Sequence, residues 1–146
     1  MSDVINKNEL NKILKNLKQL TPKMQKGILN LAVKAGAKDV QEAAKRYVPV
    51  RSGRLRDSIK IKKKSIREKK KDGDYSASTV YKVAIQNWSS TGGVWYASTV
   101  EFGAKHFAPV PFMTPAFELN GNGALNAMKA YIKRRFEAAV KKGLIR

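Results

Sequence analysis

Apolar residues recur along this chain first at helical spacing, then at strand spacing, then at helical spacing again. Leu10, Ile13, Leu14, Leu17 and Leu20 stand three or four positions apart, which lines one side of a helix over residues 7–20. Lysines and asparagines fill the other side. Thr21-Pro22 reads as an N-cap followed by proline at the first helical position. A second helix is predicted from there to about Tyr47, with a stripe of Met24, Ile28, Leu31, Ala35, Val40, Ala43, Ala44 and Tyr47. Gly27 and Gly36 weaken it by about 1 kcal/mol each relative to alanine. Pro49 stops it, because a residue before proline avoids helical geometry.

Ser52 to Asp57 follows as a loop or a single helical turn. Ile59 and Ile61 alternate with Lys60 and Lys62, a strand signal that slips before Ile66 and so predicts a bulge or fraying. Lys69 to Asp74, with Asp72-Gly73 inside it, reads as a charged turn. On the return, Tyr81, Val83 and Ile85 alternate with Lys82, Ala84 and Gln86. The two runs predict a long antiparallel hairpin with one buried face and a basic tip that reaches solvent or a partner. One hairpin is too little sheet to be stable alone, so a further strand is expected from residues 86–112 or from a neighbouring subunit.

Trp88 and Trp95 stand near the ends of a flexible loop, Ser89–Gly93. Tyr96 to Phe102 suits a short helix or a strand, with helix preferred, and Gly103 to Val110 is a loop. Thr114-Pro115 repeats the cap-then-proline signature and opens a C-terminal helix, which Asn120-Gly121-Asn122-Gly123 is expected to interrupt. Beyond the break, Leu125, Met128, Ile132, Phe136 and Val140 form an apolar face, and Gly143 is a natural stop. The sum is an α+β fold: N-terminal helices and a C-terminal helix packed on a small antiparallel sheet built around the hairpin. A single domain over residues 1–146 is expected, with 1–21 as a helical arm and 22–146 as the body.

Charge changes the picture most. Thirty Lys and Arg against 11 Asp and Glu leave a net charge of +19. Such an excess favours phosphate, an anionic membrane surface or an acidic protein, or else simply a solvated surface. No apolar run approaches the ~18 residues of a membrane span, so no span is expected; no membrane is counted among the expected partners. Met1-Ser2-Asp3-Val4 lacks a basic start followed by an apolar block, so no secretory signal is expected. There is no cysteine, which excludes disulfides, thiolate catalysis and the common zinc sites.

Catalytic chemistry finds no foothold. The single histidine, His106, sits in a predicted loop, and the carboxylates are few and scattered. No nucleophile elbow or phosphate loop occurs. No enzyme, metal or cofactor is expected. The basic residues are more informative. Arg51, Arg54 and Arg56 crowd around Gly53, and Lys60, Lys62, Lys63, Lys64, Arg67, Lys69, Lys70 and Lys71 line the hairpin. In alternating geometry Lys60, Lys62 and Lys64 share one face, which could follow a phosphate backbone or meet an acidic protein. No aromatic residues interleave there, so stacking on single strands is poorly supported. Glu101 sits among apolar residues in Val100-Glu101-Phe102-Gly103. It is either exposed or, if buried, paired with a partner such as Arg54 or Arg56, within the subunit or across an interface.

Three pieces then stand in order. They are Val48-Pro49-Val50-Arg51-Ser52-Gly53-Arg54-Leu55-Arg56-Asp57-Ser58, Tyr96-Ala97 with Val100-Glu101-Phe102-Gly103, and Pro111-Phe112-Met113-Thr114-Pro115-Ala116. Together they resemble the tail-completion and head–tail joining proteins of long-tailed bacterial viruses. The resemblance runs from about Tyr47 to Phe117. It implies a structural virion protein at the neck, completing the tail and joining it to the head connector within a homo-oligomeric ring through which DNA passes. It implies partners among the other neck and tail proteins, and location at the head–tail junction after assembly in the host cytoplasm. Arg51, Arg54, Arg56, Glu101, Phe102, Phe112, Trp88 and Trp95 are then candidate contacts to subunits or partners, with Phe102 and Phe112 as loop anchors. The hairpin cations are candidates for DNA or an acidic neighbour. The Asn120–Gly123 interruption and the lysine-rich hairpin depart from the family pattern. The alternative is a stand-alone basic DNA- or RNA-binding protein.

Overall fold

A computed structural model of the chain describes residues 7–69, 75–87 and 93–144, with backbone alone for 67–69 and 75–78. The elements run α1 (Lys7–Lys18), α2 (Pro22–Tyr47), α3 (Arg54–Ser58), β1 (Ile59–Lys69), β2 (Tyr75–Ile85), α4 (Ala97–Phe102) and α5 (Met113–Lys141). This is the expected α+β architecture. Helix α2 starts and stops where Thr21-Pro22 and Val48-Pro49 place it. Its first turn is tied down when Gln25 donates its backbone N–H to the Thr21 carbonyl and its side-chain amide to the Leu20 carbonyl.

The chain forms two compact units, and α2 and α5 each lend residues to both. The first comprises Met1–Gly36 and Asn122–Arg146. Its core is Leu17, Leu20, Ile28, Ala32, Ile132 and Ala139, with Ile13, Met24, Met128, Tyr131 and Phe136 packed against it. The apolar stripes are rotated slightly from expectation: Ala32 and Ala139 are buried, while Leu10, Leu14, Leu31 and Val140 are exposed. A Cβ on Gly36 would stand 2.8 Å from Met128 Cγ and 3.1 Å from the Ala124 carbonyl oxygen. Glycine there trades helix propensity for close approach of α2 to α5. Helix α5 closes on Gly143 (φ 66°), whose N–H donates to the Val140 carbonyl while Leu144 N–H donates to that of Ala139. That is a Schellman ending.

The second unit is Ala37–Gly121. Ala43, Ala44 and Val48 of the α2 end, Leu55, Ile59, Val94, Ala97, Phe112 and Ala116 make its core, with Val83 and Ile85 against it. Strands β1 and β2 pair antiparallel from Ile59↔Ile85 to Lys69↔Tyr75 without a break in register. The expected slip before Ile66 is therefore absent. Ile66 keeps the alternation and falls on the lysine face, because continuous pairing outweighs one misplaced apolar residue. Lys69 is still in β1, so the predicted turn starts later; residues 70–74 lie outside the described residues.

Among the described residues the sheet is two-stranded, and residues 93–112 supply α4 and an isolated bridge, Ala104↔Phe107, so of the two sources expected for a further strand the chain's own described residues give none. Packing of Ile59, Val83 and Ile85 against helical residues does what a third strand would have done. Helix α5 also runs unbroken through Asn120-Gly121-Asn122-Gly123. Its glycines cost about 1 kcal/mol each. Burial of Phe112 and Ala116 on one side of the tetrapeptide and of Ile132 and Ala139 on the other outweighs that cost.

Candidate interaction site

The first motif is a tight corner between α2 and β1. Val48 is buried, Gly53 adopts φ 75°, and Leu55 drops into the core. Ser58 donates its hydroxyl to the Leu55 carbonyl at 2.6 Å, and Gln41 donates to the Ile59 carbonyl at 2.7 Å. With the backbone so held, Arg51, Arg54 and Arg56 all point to solvent. Arg54 reaches only Ser52, at 3.4 Å, and Arg56 pairs loosely with its neighbour Asp57 at 3.6 Å. An exposed pair of that kind contributes little.

The second motif is organised by Glu101, which is 7 % exposed. One carboxylate oxygen, Oε2, accepts from the backbone N–H of Phe112 (2.7 Å) and of Met113 (2.9 Å). The other, Oε1, accepts from the Thr114 N–H (2.9 Å) and its hydroxyl (2.6 Å). A helix leaves its first N–H groups without intrahelical partners. Here Glu101 takes those of Phe112, Met113 and Thr114, and the next residue, Pro115, has none to satisfy. A carboxylate far back in the sequence is therefore the cap of α5. Thr114, expected to be that cap, lies inside the first turn. Burial opposes ionisation of Glu101, but the four hydrogen bonds, led by Phe112 N–H, outweigh it and hold the carboxyl below its ordinary 4.5. The positive end of the helix acts in the same direction.

Within the chain Glu101 makes no ion pair with Arg54 or Arg56, one of the two alternatives for it, because the α5 N–H groups already surround the carboxylate. Between Glu101 and Phe112 the chain turns tightly. Gly103 has φ 79°, and a Cβ on it would stand 2.9 Å from the Phe107 carbonyl oxygen. Val110 N–H donates to the Val100 carbonyl at 2.8 Å. Glu101 and Phe112, both buried, thus shape the loop from inside. Phe102 is not the expected loop anchor. It is 77 % exposed and anchors nothing, whereas Phe112 is fully buried. Trp95 is also exposed, edge-on to Tyr96. Trp88 lies outside the described residues.

The two motifs meet. Pro49, Arg51, Arg54 and Leu55 from the first, Tyr96 and Val100 from the second, and Phe107 and Val110 from the loop that follows it line a groove of about 600 Å³. Its lining is mainly apolar, includes two arginines and holds no acidic residue. The scan against family models matches "Bacteriophage HK97-gp10, putative tail-component" over residues 11–103. The chain belongs to this HK97-gp10-like family. The match covers α1 from residue 11 and all of α2 to α4, hence the first motif, the hairpin and the second motif through Gly103. Comparison with curated proteins and with solved structures finds no match in either. As a tail component the protein is a structural part of a phage virion that works among other virion proteins. No described helix is long and apolar enough to cross a membrane, and no described cluster of His, Cys, Asp or Glu could hold a metal ion.

The tail component's hairpin divides its basic residues. Lys60, Lys62 and Lys64 share one face, as alternation predicts, but Lys63 is paired with Tyr81 on the other face, beside Ile61 and Val83. The side chains of Arg67 and Lys69, and all of Lys70 and Lys71, lie outside the described residues. Lys82, directly opposite Lys62, joins the lysine face. Its place in the alternation with Tyr81 and Val83 was the signal for it.

Proposed function

We propose that this tail component works at the neck, completing the tail and joining it to the head connector as one subunit of a homo-oligomeric ring. The groove between the two motifs is the observation that carries the reading. It is an open apolar surface with arginines free to pair outward, on a loop whose backbone is clamped by Glu101 and closed at Gly103. Trp95, Phe102 and Phe107 stand exposed in one stretch of the chain, residues 95–107. Exposed aromatics beside arginines are what protein interfaces use as anchors. The partners are the neighbouring subunits and the other neck and tail proteins, at the head–tail junction of the virion, after assembly in the host cytoplasm.

The test is deletion of the gene from the phage that carries it, with negative-stain electron microscopy of the lysate. DNA-filled heads beside unattached tails, or tails of abnormal length, are the expected result. Normal infectious particles would end the neck reading. A stand-alone DNA- or RNA-binding protein, for which the lysine face speaks, would then take its place.

A further inference from the structure

We infer that the lysine face of the hairpin binds the phosphate backbone of duplex DNA, through Lys60, Lys62, Lys64 and Lys82. From Lys60 to Lys64 on β1 and from Val80 to Ala84 on β2, this face carries those four lysines with Val80 and Ala84; Ile66 and then Glu68 continue it toward the far end of β1. All four lysines are exposed, and none belongs to an ion pair among the described residues. Lys62 and Lys82 are direct cross-strand partners, which brings their Cβ atoms to about 5 Å and sets like charges against each other. The free protein gains nothing from that arrangement. An external anion lying along the face relieves it.

The geometry selects among anions. Same-face lysines on β1 repeat about every 6.7 Å, so the row of three spans about 13 Å. Duplex DNA of that length presents about eight phosphates, a continuous anionic track for point charges. An acidic protein would be met by aromatic anchors and a pocket, as at the motif groove, and this face has neither. Single strands would be held by aromatic stacking platforms, which are also missing; Tyr81 is on the opposite face.

The test uses the full chain and a DNA duplex of about 20 base pairs, followed by fluorescence anisotropy over a salt series, with thermal unfolding measured in parallel. Wild type is expected to bind with a log–log salt slope of about −3 to −4, the value for four lysines on phosphates. Lys82→Glu puts a carboxylate opposite Lys62. It is expected to lower affinity about tenfold or more and yet raise the melting temperature by about 1–4 °C, since attraction replaces repulsion. Lys62→Thr, which keeps strand propensity, is expected to weaken binding by a smaller factor without lowering the melting temperature. Lys26→Glu, on the exposed side of α2, changes the net charge as much as Lys82→Glu does and is expected to leave affinity within about threefold.

Equal losses in Lys82→Glu and Lys26→Glu would overturn the inference in favour of general charge. Binding of a single strand or of polyglutamate as tight as that of the duplex at the same salt would overturn it as well. So would losses confined to variants that melt lower than wild type. The inference does not rest on the neck reading: particle morphology tests that one and duplex affinity tests this one, so each can fail alone.

Discussion

At the α4–α5 junction a single buried carboxylate, Glu101, accepts from three backbone N–H groups and a hydroxyl, whereas on the hairpin four exposed lysines, two of them directly opposed, meet no anion among the described residues. Both regions belong to the same compact unit. The carboxylate is consumed by the fold: it fixes where α5 begins and how the loop from Gly103 to Pro111 turns. The lysines are left over by the fold. A charge satisfied inside the chain is a structural part, and a charge left unsatisfied on a regular face is available to something outside. Mutation should therefore act on stability in one region and on binding in the other.

The largest effect expected is at Glu101. Glu101→Ala leaves the N–H groups of Phe112, Met113 and Thr114 without a partner and should cost about 3–5 kcal/mol in denaturant unfolding. A cost under about 1 kcal/mol would mean that water caps α5 as well as the carboxylate does. Acid should act on the same group. Folding holds its carboxyl below 4.5, so the unfolded chain takes up this proton first as pH falls. The stabilisation is complete above that range and lost as pH drops through the lower folded value. Melting curves of wild type should fall with acid below about pH 4.5, more steeply than those of Glu101→Ala.

Gly103→Ala comes next. It combines an unfavourable positive φ with a Cβ 2.9 Å from the Phe107 carbonyl oxygen. It should destabilise by about 2–3 kcal/mol and open the groove, which amide exchange at Val110 would report. Gly121 makes the opposite case. A Cβ there has nothing within 4 Å and the residue is helical, so Gly121→Ala should stabilise by about 0.5–1 kcal/mol in the same assay. Smallest is Lys62→Thr on the hairpin. It removes one of two opposed charges and should raise stability by only a few tenths of a kcal/mol, visible as a shifted urea midpoint.

Much of the fold could be read from local chemistry. The bounds of α2 follow from two prolines, whose steric demands act within one residue, and the hairpin follows from period-two alternation around Ile59–Ile61 and Tyr81–Ile85. Gly53 and Gly103 fall in the segments read as loops, and both have positive φ. The candidate site was legible in its parts but not in its relations. Arg51, Arg54 and Arg56 could be read as outward charges. That Glu101 would prefer the N-terminus of α5 to those arginines could not, because its partners lie 11 to 13 positions away. The interior place of Phe112 and the exterior place of Phe102 depend on the same clamp.

The sequence by itself determined the α+β class, the helix and strand periods, the turn glycines, the +19 charge and the family, because these rest on local sterics, spacing and composition. Only the tertiary structure decided that α5 continues through Asn120-Gly121-Asn122-Gly123, that β1 keeps its register past Ile66, that no third strand joins the described sheet, and that Lys82 faces Lys62. Each of these is a contest between a weak local preference, worth about 1 kcal/mol, and burial or pairing contributed by residues distant in sequence. Local signals cannot rank such a contest, since the winning side is assembled only when the chain has folded.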